Sequence, residues 1–129
     1  MAATTTKNRA KNATSKILSG SMVAHGELSG YSQPPRKVRL VTNLIKGKSV
    51  TEAISALSFL PKKAALPIKK LIESAVANAK QKGVALEKLR VTAITVDKGG
   101  MMVRFMPRAQ GRATPIRRRK SHIRLTLSA

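Results

Sequence analysis

Two hydrophobic rhythms divide this chain, a helical one over roughly residues 34 to 82 and a strand-like one beyond about residue 89. Val38, Val41, Leu44 and Ile45 recur at three- and four-residue steps behind Pro34 and Pro35, with Gly47 where a C-terminal cap belongs. This spacing predicts a helix that turns those four side chains inward. "SVTE", Ser49 to Glu52, has the form of a capping box, in which the serine hydroxyl accepts from the amide three residues on and the glutamate reaches back. A short helix through Leu57 should follow, with Ala53, Ile54 and Leu57 facing the core. A longer one is expected from near Pro61 to Lys82, with Leu66, Ile68, Leu71, Ile72, Ala75, Val76 and Ala79 on its apolar face and Gly83 as its stop. Pro67 fits badly inside that helix, because it removes a backbone donor and crowds the preceding turn. Either the helix starts close to Ala64 or Ala65, or it is kinked.

The period then shortens to two. "KLRVTAITVDKGG" is rich in β-branched residues, and "HIRLTL" alternates, placing Ile123, Leu125 and Leu127 on one side and Arg124 and Thr126 on the other. "AHGELSGYSQ", around Glu27, Leu28 and Tyr31, reads as an edge strand. Antiparallel pairing of the first two strands would cover the helices and leave Gly99 to Ser121 as a hairpin with its midpoint near Ala109 and Gln110. At about 3.3 Å per residue each limb reaches on the order of 35 Å, beyond the radius of a small domain. The fold class expected is therefore α+β: three helices packed on a small antiparallel three-stranded sheet, with a long protruding β-hairpin and a basic N-terminal tail. The expected division is a tail over 1–26, a body over 27–98 and 121–129, and an arm over 99–120.

Charge changes this picture from a fold to a function. Among 129 residues, 26 Lys and Arg stand against 5 Asp and Glu, a formal net charge of +21. Self-repulsion of that size opposes compaction unless a polyanion relieves it. All five acids fall within residues 27 to 97, and neither the N-terminal 26 residues nor residues 98 to 129 contain one. Nucleic acid is the leading partner. An isolated two-stranded ribbon is marginal in water, and Arg104, Arg108, Arg112, Arg117, Arg118, Arg119 and Lys120 name the support this one needs, since guanidinium forks bind phosphates and stack on bases. Met101, Met102, Phe105 and Met106 add apolar contact. Alternation of Val, Phe and Met, with Pro107 before the turn and Gly111 in it, favours a shaped hairpin over a formless basic tail.

Two further basic groups lie in the body. Arg36, Lys37 and Arg39 crowd the start of the first helix, where cations are electrostatically misplaced unless an anion sits there too. Lys62 and Lys63, with Lys69 and Lys70, ride on the outer side of the third, and Arg124 projects from the last strand. "MAATTTKNRAKNATSK" has too few large apolar residues to fold alone. An organellar transit peptide shares its flavour, and a flexible tail is the preferred reading. Cysteine is absent, the two histidines and five carboxylates form no acid–base pair or metal spacing, and no glycine motif cradles a phosphate. His25 falls in the tail, and His122 is expected to pack or meet RNA at a strand start. No catalytic residue, metal or cofactor is expected, and no apolar run is long enough to predict membrane insertion.

"PPRKVRLVTNLIKGKSVTEAISAL", "FLPKKAALPIKKLIESAVANAKQ", "LRVTAITVDKG" and "RFMPRAQGRATPIRRRKSHIRLTL" occur in this order, and together they resemble the bacterial-type large-subunit ribosomal protein twenty-two, the universal uL22 family. "PRKVRLV", "ESAVANA", "MPRAQGRA" and "SHI" are the most specific pieces, and the likeness spans about residues 28 to 128. It implies a small body on the outside of the large ribosomal subunit near the tunnel exit, with a hairpin penetrating large-subunit rRNA and supporting its assembly. It further implies that the tip, Arg108, Ala109, Gln110, Gly111 and Arg112, lines the nascent polypeptide exit tunnel, facing a loop of a neighbouring ribosomal protein of the fourth large-subunit family. The resemblance also implies the early assembly of uL22 proteins and the altered macrolide response that changes in their hairpin bring. Arg36, Lys37 and Arg39 fall on the family's basic helix start and Arg117 to Lys120 on the returning limb. The partners implied are rRNA, neighbouring large-subunit ribosomal proteins and the nascent chain, in a cytoplasmic or organellar ribosome. Pro67, "DKGG" at the hairpin base and the long tail depart from the family's usual pattern. A DNA-bending architectural protein with basic β-ribbon arms is the alternative, although "ESAVANA" and "PRKVRLV" have no place in it.

Overall fold

In the computed structural model, residues 22–129 are described. Strand β1 (Met22–Tyr31) is followed by helices α1 (Pro35–Ile45), α2 (Val50–Phe59) and α3 (Ala65–Gln81), then by the long strands β2 (Arg90–Pro107) and β3 (Ala113–Ser128). The sheet is antiparallel in the order β1-β3-β2, so the C-terminal strand is central. The expected α+β fold is the one observed. β1 starts at Met22 and pairs with β3 from there, so residues 22–26 belong to the sheet; the rest of the expected tail, residues 1–21, lies outside the described residues.

Each helix boundary has a local cause. Pro34 caps α1 and Pro35 opens it, where a missing amide hydrogen costs nothing. Ser49 caps α2, its Oγ accepting from the Glu52 amide at 3.3 Å. Ser49→Ala should cost about 1 kcal/mol and lower the thermal midpoint by roughly 4–8 °C; an unchanged melting curve would show the cap to be idle. α3 begins at Ala65, which resolves Pro67: it occupies the third helical position, within the first turn whose amides have no intrahelical acceptor. Gly83, at φ +77°, closes α3 with bonds from its own amide to Lys80 O and from the Val84 amide to Ala79 O, the paired arrangement of a Schellman cap.

The core is aliphatic throughout. Val38, Val41 and Ile45 of α1, Ala53 and Leu57 of α2, and Ile68, Ile72, Ala75 and Ala79 of α3 meet Val91, Ile94 and Val96 of β2 and Ile123, Leu125 and Leu127 of β3. Three expectations shift. Leu44 is 51% exposed, and Thr42 takes its place, buried with its hydroxyl donating to the Arg39 carbonyl at 3.2 Å. Leu66 is 63% exposed while Ala65 is buried, because Leu66 stands about 200° of helix from Ile68 and so faces away from the stripe of Ile68, Leu71, Ile72 and Ala75. Ile54 is only partly buried, packed against the core from outside. The outer edge of β2 is covered at its start, where Gly47 and Val50 donate to Val91 O and Leu89 O and the Val91 amide donates to Lys48 O.

Candidate nucleic-acid interface

Beyond the body, β2 and β3 continue as a two-stranded arm. Two irregularities mark its root. The β2–β3 register shifts between Lys98 and Met101, and the β1–β3 register shifts between Leu28 and Tyr31, both opposite the stretch around Ser121. His122 ties the joint together, its Nδ1 accepting from the Gly30 amide at 3.1 Å, which places the ring proton on Nε2. A Cβ on Gly99 would stand 3.0 Å from the Lys120 carbonyl carbon and 3.1 Å from His122 Nε2. Backbone and imidazole approach so closely there that only glycine fits without displacement. The Tyr31 hydroxyl donates to Lys63 O at 3.2 Å, and burial raises its pKa above the ordinary tyrosine value, which keeps that donor protonated. Sequence reasoning expected a hairpin here but not this knot, which joins residues from three strands.

Past the root, cross-strand pairs run from Met101↔Arg119 to Pro107↔Ala113. Directly opposed residues share a face and successive ones alternate. One face therefore carries Arg104 and Arg118 with Met102, Met106 and Ile116; the other carries Arg117 and Arg119 with Met101, Val103 and Phe105. Every residue from Met101 to Arg119 is exposed. At the tip the Arg108 amide donates to Arg112 O at 2.8 Å, and the chain reverses through a short 3-10 turn, Ala109–Gly111. Gln110 and Gly111 take φ of 61° and 66° there. Left-handed backbone suits Gly111 and costs about 1–2 kcal/mol at Gln110, so the tightness of this tip is held against a local preference.

The predicted basic residues gather in two grooves. One, of about 430 Å³, is lined by Arg104, Arg117, Arg118, Arg119 and Lys120 of the arm together with Lys63, Ser32 and Pro34 of the body. The other, of about 310 Å³, brings Arg36 and Arg39 at the start of α1 against Arg119 and Lys98. Arg119 borders both. No side chain caps the first turn of α1, and no acid lies in it, so amide dipoles and guanidiniums present positive potential to the same space. Lys98 was missed by the sequence reading; its position beside the "GG" at the hairpin base was the available signal.

Other predicted residues stand apart. Arg39 also donates to Val96 O at 2.8 Å, clamping α1 to β2. Arg124 lies on the outer face of the sheet, 3.5 Å from Glu27 and 4.0 Å from Asp97, so its charge is partly matched within the protein. Lys62 and Lys63 are exposed in the α2–α3 connection rather than on the helix, and Arg108 and Arg112 sit at the distant tip. Lys69 donates to Ser58 Oγ at 2.9 Å. Among the described residues no group of three or more His, Cys, Asp or Glu is placed to hold a metal, and no helix is long and apolar enough to cross a membrane.

Comparison with known proteins places this architecture. A family model described as ribosomal protein L22p/L17e matches residues 28–128. A large ribosomal subunit protein uL22 from Syntrophotalea carbinolica is 50% identical over 108 residues, covering 83% of this chain and 98% of its own length. Its counterpart from Pelobacter propionicus is 48% identical over the same number of residues, covering 83% and 97%. That from Bdellovibrio bacteriovorus is 54% identical over 93 residues, covering 71% and 84%. With the match running from β1 through the arm to the last strand, the chain belongs to the L22p/L17e family of ribosomal proteins.

Proposed function

We propose that this protein is a structural constituent of the large ribosomal subunit that binds rRNA through its arm, its arm root and the start of α1. The observation that carries the reading is the two-faced arm: guanidinium and apolar side chains occupy both faces of a ribbon that the body does not cover. A ribbon lying on a surface needs such groups on one side. Groups on both suit a ribbon enclosed by RNA, with arginines meeting phosphates and sugar edges on either hand. Neutralising phosphates from separate RNA segments would let those segments approach, which is an assembly role. The DNA-bending alternative has no support in the family match, which extends over the helical body as well as the ribbon.

The finer assignments extend this proposal along the lines the family resemblance implies. Arg104, Arg117, Arg118, Arg119, Lys120 and Lys63 form the main phosphate-binding groove and Arg36, Arg39 and Lys98 the second, with Lys37 and Lys62 as further exposed cations of the body outside both linings. The tip, Arg108 to Arg112, lines the nascent polypeptide exit tunnel, and its tight turn offers a fixed wall rather than a mobile loop. Ribosomes of the cytoplasm are its site, with neighbouring large-subunit proteins and the emerging chain as further partners. The role is structural and calls for no catalysis.

Sedimentation tests this. The full chain should travel with large subunits through high salt and not with nucleoid DNA. Shortening the arm between Met106 and Pro115 should leave that association in place, because the grooves at the root remain, while altering reactivity of the tunnel wall to chemical probes. Release of the shortened chain from subunits would contradict the division between root and tip.

A further inference from the structure

Both phenylalanines of this chain are excluded from its core. Phe59 is 88% exposed and Phe105 73% exposed, the two highest values among the exposed large apolar side chains of the described residues, while every buried apolar residue is Ala, Val, Ile or Leu. Phe105 lies on the arm, within the interface already described. Phe59 does not: it is the last residue of α2, on a part of the body to which neither the sequence reading nor the family match gives a role.

Its surroundings are fixed and cationic. Leu57, two residues before it, is buried, and Leu60, next to it, packs against the core. The connection that follows is a compact turn, with the Lys62 amide donating to Leu60 O at 2.8 Å and the Ala65 amide to Lys62 O at 2.9 Å. Lys62 and Lys63 are exposed in that turn. Lys69 reaches across from α3 to Ser58, the residue before Phe59. No acid occurs from Ala53 to Ile72. Lys63, four residues after Phe59, also borders the larger groove at the arm root.

We propose that Phe59 is a stacking platform for one unpaired base of the RNA, with Lys62 and Lys63 holding the phosphates that flank that base. This rests on the rRNA-binding reading and adds a contact of a different kind to it. Stacking needs a rigid, exposed π face beside a cationic track, and an aromatic ring presented from a fixed helix end among lysines supplies both. An apolar protein partner would bury the ring equally well, yet would have to accommodate the surrounding ammonium groups, and the charge favours RNA.

Binding of the full chain to purified large-subunit RNA, followed over a range of salt concentrations, distinguishes the cases. Phe59→Ala should weaken binding about tenfold without changing the salt slope, because stacking releases no counterions. Phe59→Tyr and Phe59→Trp should restore affinity; Phe59→Leu, apolar but without a π face, should not. Since the side chain is almost fully exposed, these variants should melt with the unsubstituted chain. Wild-type affinity in Phe59→Ala or Phe59→Leu would overturn the proposal while leaving the broader reading standing. Loss of salt-dependent RNA binding in the unsubstituted chain would take both down. A benzophenone side chain introduced at position 59 should crosslink to RNA within the assembled subunit, and crosslinking to protein alone would assign the site to a protein neighbour and end the RNA proposal.

Discussion

Replacing Arg117, Arg118 and Arg119 together with alanine is expected to lower the slope of log affinity against log salt for large-subunit RNA by about two to three, at about 0.7–0.9 for each phosphate contact removed. Affinity at physiological salt should fall by about 10²- to 10³-fold, since hydrogen bonds to charged groups contribute about 1.5–3 kcal/mol each and are not fully additive. These residues lie on opposite faces of one strand, Arg118 beside Met102 and Arg117 and Arg119 beside Val103 and Met101. Arg119 also borders both grooves. The single replacement Arg119→Ala should consequently cost more than Arg118→Ala. No neighbouring acid matches these charges, unlike Arg124, which sits between Glu27 and Asp97; Arg124→Ala should move the slope little. Filter binding at several salt concentrations measures all of these, and an unchanged slope in the triple variant would remove the arm from the RNA contact.

How much of this was legible beforehand follows from the range of each interaction. Local signals were read correctly: Ser49 as a cap, Gly83 as a stop, the alternation of Ile123, Leu125 and Leu127, and the hairpin midpoint at Gln110. Each depends on residues within a few positions. Leu44 was misplaced because hydrophobicity alone ranks it above Thr42, whereas Thr42 can be buried once its hydroxyl is bonded to Arg39 O. Leu66 was misplaced because its hydrophobicity was weighed above its spacing, two residues before Ile68 and so out of phase with the apolar face. The central position of β3, the joint made by Gly30, Gly99 and His122, and the approach of Lys98 to α1 unite residues far apart in the chain. Periodicity carries no information about such meetings. The arm itself was legible for the opposite reason: its composition rules out a buried place, so its exposure followed without any knowledge of what surrounds it.

Leu125→Ala tests where the stability of this protein resides. Leu125 is 1% exposed on the central strand, opposite Ile94 of β2 and Gly26 of β1, and no residue from 97 to 122 contributes an apolar side chain to the core. Truncating it leaves a cavity between sheet and helices and should cost about 2–5 kcal/mol, a large share of the roughly 5–15 kcal/mol available to a small domain. Chemical denaturation of the free protein should show the loss directly, with the midpoint falling and the slope nearly unchanged. The RNA-bound protein should behave differently. A ligand that binds only the folded state stabilises it by about 2.7 kcal/mol at a concentration one hundred times its dissociation constant, enough to offset much of the cavity. The variant should thus be fragile alone and competent once assembled, whereas the triple arginine variant should be stable alone and deficient in assembly. Opposite phenotypes from the two would follow only if core and interface are energetically separate, with the aliphatic body folding by itself and the arm taking its support from RNA. A Leu125→Ala chain that resists denaturant as well as the unsubstituted one would mean that the body owes its stability to something other than this core.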